Sequence, residues 1–184
     1  MSAAVPPPEV DVPESWRLVS EETATPFDVR VVTIKAATRI YEDADLRERL
    51  AAATGTETTW RFVFASRVRI RPAQPASRAL TELVSDRASS AFVDVLEARG
   101  FSAVDRADTH RFAVGGDDVE ATRYRARVSL DDRDLPVEAY FAAWPADEEY
   151  LLGGGAYPLS LPAGEPFDRG AAREELFGML RSIR

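Results

Sequence analysis

Arg123, Arg125 and Arg127 alternate along "ATRYRARVSL", and Arg61, Arg67, Arg69 and Arg71 recur in "WRFVFASRVRIRP". Alternate positions of a strand share one face, and guanidinium forks match carboxylate and phosphate oxygens. Arg67, Arg69, Arg123, Arg125 and Arg127, together with the single histidine His110, therefore form the candidate binding set. The competing explanation is the polar side of a half-buried sheet, where arginines meet carboxylates or rings on the neighbouring strand for about 0.2–1 kcal/mol per pair. A formal net charge of −8 works against phosphate steering and disfavours nucleic acid. A specific small anion or an acidic partner survives that objection better.

His110, in "ADTHRF" with Asp108 two residues before it, has the side chain suited to proton transfer near neutral pH. No nucleophile accompanies it. No serine lies in a Gly-x-Ser-x-Gly setting, and the chain has no cysteine, which also excludes disulfides and thiolate metal sites. No catalytic residue is assigned. The carboxylate clusters "YEDAD", "GGDDVE" and "DDRD" lack the spacing of a calcium loop and fall where aspartate favours turns and helix starts. No metal site and no cofactor are expected. The triplet Gly153, Gly154 and Gly155 has no following Lys-Ser/Thr pair to make a phosphate loop. Inside a strand, glycines admit a close neighbour, so a helix, the last one, is expected to press there. A ligand slot is the alternative.

These residues must be held by a sheet. "SWRLV" reads as a strand, "ATPFD" as a turn, and residues 29–42 as a β-branched strand. A helix is expected from about Asp45, as its cap, to Thr54, with Gly55 ending it. Trp60, Phe62, Phe64, Val68 and Ile70 alternate along the next strand. Over residues 77–99, Leu80, Leu83, Val84, Ala88, Ala91, Phe92, Val95 and Leu96 follow helical spacing, with Gly100 behind them.

From Phe101 the turns "GGDD", "DDRD" and "PADE" mark an antiparallel meander. Four-residue turns would pair Leu130 with Leu135, Tyr124 with Phe141, Arg127 with Glu138 and Arg125 with Tyr140, and in the next hairpin Trp144 with Glu149. His110 then falls opposite Arg123 or, with a glycine bulge, Tyr124. Asp168 caps a last helix. The fold expected is α+β: an antiparallel sheet of six to seven strands packed by three helices.

A chain of 184 residues can bury one sizeable core, and residues 15–184 are read as one domain. "MSAAVPPPEVDVPES" lacks the apolar core of a signal peptide and reads as a mobile Pro-rich arm over residues 1–14. No membrane span is expected, and the cytoplasm is the expected location. Lys35 is the only lysine, against 31 Asp+Glu, a composition of salt-adapted proteins, although high-GC coding also favours arginine over lysine and leaves a high-GC bacterium open.

The order of elements, closing with the helix "REELFGMLRSIR", resembles the PsbP-like α/β/α sandwich, and at the level of sequence the chain is similar to small proteins of haloarchaea. The PsbP-like group includes photosystem extrinsic subunits, a regulator of a nuclear-transport GTPase and mycobacterial lipoproteins. Its members are mainly binding and accessory proteins, and the resemblance implies the same here: a non-catalytic domain with a protein partner. It carries over no site residue. The alternative is a small-anion binder or enzyme with a pocket between sheet and helices, gripped by arginines.

Overall fold

In the computed structural model, residues 4–29 and 31–184 are described; residues 1–3 of the expected arm and residue 30 of the expected second strand lie outside them. Seven strands form one antiparallel sheet: β1 (Trp16–Val29), β2 (Val32–Asp43), β3 (Phe62–Arg71), β4 (Phe101–Val114), β5 (Asp117–Leu130), β6 (Arg133–Ala146) and β7 (Glu149–Pro158). Three α-helices accompany them, α1 (Ala44–Thr54), α2 (Arg78–Ala98) and α3 (Arg169–Arg181). The spatial order is β1-β2-β3-β7-β6-β5-β4, so the last strand lies in the middle. The expected α+β fold is what the chain adopts.

Helices cover both faces. On the front face, α1 and α2 lie over a core containing Leu46, Leu50, Phe62, Phe64, Phe92, Leu96, Tyr124, Val128 and Phe141. On the back face, Leu176, Phe177, Leu180 and Ile183 of α3 and its C-terminal end meet Trp16, Val63, Tyr140, Trp144 and Tyr157. Strands that serve two cores must be apolar on both sides. β7 is buried from Tyr150 to Pro158 for that reason.

The glycine triplet lets α3 sit close. A Cβ on Gly153 would fall 2.5 Å from Ile183 Cδ1, and one on Gly155 would fall 2.3 Å from the Phe62 carbonyl and 2.8 Å from Leu176 Cδ1. Gly154 points to the front face, toward Phe64.

Several local expectations need correction. Two meander turns have two residues, not four, since Leu130 pairs with Arg133 and Ala146 with Glu149. The turn at "GGDD", whose length the sequence left open, also has two, with Val114 against Asp117. Aspartate tolerates the left-handed backbone that so tight a turn demands, and Asp131 and Asp147 both adopt it, at φ 53°. The register is therefore displaced by two residues, which keeps every side chain on its expected face while changing its partner. Tyr124 lies opposite Ala139, and Phe141 opposite Gly154. "ATPFD" is a bulge within β1 rather than a turn between strands. The cap of α1 is Asp43, whose carboxylate accepts from Leu46 N at 3.1 Å, rather than Asp45.

The Pro-rich stretch is extended along the back face. Glu9 and Arg184 exchange two main-chain hydrogen bonds, at 2.9 and 3.2 Å, and Val5 is buried.

Candidate functional site

The candidate arginines separate into groups defined by their carboxylates. Arg67 and Arg69 share Glu149, Arg67 Nη1 donating at 3.2 Å and Arg69 Nε at 2.6 Å. Arg123 lies between Asp108, which takes Nε at 2.7 Å, and Glu138, which takes Nη1 at 3.0 Å. Arg125 stands opposite Glu138 in the ladder and is exposed. Arg127, expected against Glu138, stands opposite Pro136 and lies 3.8 Å from Asp134, a result of the tighter turn. Four of the five arginines thus have a carboxylate within 4 Å. That arrangement fits a sheet balancing its own charge better than an empty anion site.

His110 pairs with Ala121, not with Arg123 or Tyr124. It faces α3, where Arg173 Nη2 lies 3.1 Å from its Nδ1, and it meets Phe177 edge-on with ring centroids 4.9 Å apart. Burial, followed by the nearby Arg173 guanidinium, pushes the imidazole below its ordinary pKa. A neutral ring can accept from Arg173; an imidazolium cannot.

Beside it, Glu138 is a hub that alternation alone did not reveal. It accepts from Tyr140 Oη at 2.9 Å, Tyr157 Oη at 2.5 Å and Arg123. Burial opposes its ionisation, but the two phenols and the guanidinium outweigh that and hold the carboxyl below the usual range. Burial and the same carboxylate push the Tyr140 phenol up to about 12 and Tyr157 higher still. Both phenols stay protonated donors at neutral pH. The cluster ties β4, β5, β6, β7 and α3 together, and each acidic group in it is matched by donors.

The front face offers a different feature. α2 has 21 residues, yet buries only Phe92 and Leu96, whereas the 13 residues of α3 bury five side chains. At 100° per residue the eight α2 positions named from the sequence span an arc of about 220°, and Val93, which also packs on the core, lies beyond it. Phe92 and Leu96 occupy one margin of that arc. Leu83, 55% exposed, marks the other margin, with Leu80, Val84, Ala88 and Val95 half-buried between them.

Facing this side, β2 presents half-buried Val32, Ile34, Ala36 and Ile40, and β1 presents exposed Phe27. Between β2 and the end of α2 lies an open groove of about 660 Å³, with Ile40, Val95 and Ala98 among its lining residues. The signal was present in the breadth of the α2 pattern: a helix on one sheet face needs a narrower stripe. Among the described residues, no group of three or more His, Cys, Asp or Glu is placed to hold a metal ion, and no helix is long and apolar enough to cross a membrane.

Comparison with family models matches residues 2–184 to a domain of unknown function, DUF6517. The chain belongs to the DUF6517 family. A search of curated proteins gives no match. This DUF6517 chain thus offers two regions, the tied polar cluster of the back face and the half-buried apolar face of α2 and β2.

Proposed function

We propose that this DUF6517 domain is a non-catalytic binding module that docks a protein partner on its front face, between α2 and the β1–β2 hairpin, and that it works at high salt. One observation carries the reading: the longest helix buries two side chains and leaves most of its apolar arc half-open beside the equally half-open stripe of β2. Apolar surface left in water at both walls of a groove is a free-energy reserve of about 25 cal/mol per Å² for whatever covers it. Amphipathic helices and extended segments dock in such grooves.

The α/β/α layering is in keeping with a PsbP-like accessory protein, an argument from fold alone. Apolar docking also suits a salt-rich setting. At 1 M ionic strength the Debye length is about 3 Å, and apolar burial is not screened. The composition, with one lysine and 31 Asp+Glu, supports that setting.

A peptide-display selection against the full chain in molar KCl tests the proposal. Enriched peptides should lose binding to Ala98→Trp, which fills the groove, and to Leu83→Glu, with circular dichroism unchanged in both variants. Enriched peptides that bind both variants as well as the parent, or a selection with no enrichment, would refute it.

A further inference from the structure

We infer that the segment seated in this groove is cationic and amphipathic and comes from a different protein, placing apolar side chains on Ile40, Val95 and Ala98 and a Lys or Arg between Glu22 and Glu57. The inference rests on the docking reading above and adds the chemistry of the partner.

The groove is lined by Glu22, Glu42 and Glu57 as well as by Arg47 and Arg99. Both arginines are committed to Glu42. That carboxylate is buried, accepts from Arg47 Nη1 at 2.9 Å and Thr59 Oγ1 at 3.2 Å, and also takes Arg99 Nη1. Glu22 accepts only from the hydroxyl of neighbouring Ser20, at 3.2 Å, among the described residues. Glu57 is 77% exposed and lies 3.8 Å from Arg47, which already serves Glu42. Three carboxylates against two guanidiniums leave the groove one negative charge in excess, with Glu22 lacking an arginine among the described residues and Glu57 sharing Arg47 with Glu42. Beside the apolar Ile40, Val95 and Ala98, that excess makes a pattern complementary to an amphipathic segment bearing a cation.

Two other occupants fit less well. The chain's own Pro-rich stretch is engaged on the opposite face, where Glu9 pairs with Arg184. A second copy would bring a further net charge of −8. Like-charge juxtaposition opposes that pairing.

The probes are two fluorescein-labelled synthetic 14-residue helical peptides with identical leucines, one with lysine and one with glutamate on the polar face. Fluorescence anisotropy is read with the full chain, at the lowest KCl concentration that preserves its circular dichroism. The lysine peptide should bind at least about tenfold more tightly than the glutamate peptide. Glu22→Gln with Glu57→Gln should weaken it about threefold to tenfold, the yield of two exposed ion pairs. Asp117→Asn with Asp118→Asn, an equal charge change at the β4–β5 turn, should change it less than twofold.

If both peptides bind equally and both are lost in Ala98→Trp, the groove stands and its preference for a cation falls. If the two charge-neutralising pairs weaken the lysine peptide alike, attraction to the acidic surface explains it and the inference falls. If neither peptide binds, the inference falls and the docking reading loses support with it.

Discussion

Alanine at Gly153 and at Gly155 adds the same methyl group to the same strand, beneath the same helix, and the two changes should differ sharply in cost. At Gly153 the obstacles are the tips of Ile183 and Leu180, at 2.5 and 3.0 Å. Those tips can turn or shift by a few tenths of an ångström. Overpacking of that kind costs about 1–3 kcal/mol, offset by about 0.5–1 kcal/mol because alanine loses less backbone freedom than glycine. The net loss should be near 1 kcal/mol. At Gly155 the new Cβ would stand 2.3 Å from the Phe62 carbonyl of the adjoining strand, with Leu176 Cδ1 at 2.8 Å behind it. A paired backbone cannot swing aside, so β3 and β7 must separate, and the loss should exceed about 3 kcal/mol. For a chain of 184 residues each kcal/mol lowers the melting temperature by about 2–4 °C. Thermal unfolding followed by tryptophan fluorescence should therefore show a fall of about 2–4 °C for Gly153→Ala and at least about 6–12 °C for Gly155→Ala. Equal falls, or the reverse order, would refute the claim that α3 and β3 close on β7 in this way.

Three further outcomes follow from the back-face cluster and the composition. Glu138→Ala leaves two buried phenols without their acceptor and Arg123 with Asp108 alone, and should cost about 3 kcal/mol in urea unfolding, while Glu138→Gln, which keeps an acceptor, should cost about half as much; a loss under about 1 kcal/mol for the alanine variant would mean that Glu138 is no tie. The folded-state pKa of His110 lies below its unfolded value, so its neutral form adds stability above the unfolded pKa of about 6.5, and that stability is lost as pH falls below it. His110→Gln should flatten the melting temperature between about pH 5 and 7 relative to the parent, and an unchanged slope would exclude the contact with Arg173 as its source. Raising KCl from 0.2 to 2 M should raise the melting temperature, because carboxylate repulsion at net charge −8 is screened; a flat response would count against salt adaptation.

Period-two patterns carried much of the fold. Tyr124, Ala126 and Val128 on β5 and Phe64 and Val68 on β3 face the front core as alternation requires. Partner identity along the ladders was less accessible, since it turns on whether Asp131 and Asp147 enter the left-handed region, and sequence alone leaves that open. A two-residue displacement preserves faces, so the apolar side could be assigned correctly while Arg127 was matched to the wrong residue. The sheet was also expected to expose its guanidinium side. Tyr140 and Tyr157 show otherwise, because they alternate with front-face apolar residues and are themselves buried under α3. The hub at Glu138 depends on residues 19 positions apart, Glu138 and Tyr157, which only the pairing of β6 with β7 brings together. The groove was half-written in the excess width of the α2 pattern, and its other half, the bare stripe of β2, depends on where the helices come to rest.

The central position of β7 has a mechanical consequence. β1, β2 and β3 pair only with chain neighbours on one side, β4 to β7 only with neighbours on the other, and one ladder, Phe62–Val68 against Tyr150–Ala156, stitches the halves together. Everything else in the sheet is zipped between strands consecutive in the chain, where closing a loop is inexpensive, whereas this ladder closes a loop of about half the polypeptide. It is thus the step at which assembly should wait. Cleavage within the exposed segment 72–77 would leave two fragments, each holding its own hairpins, that should recombine along that one line.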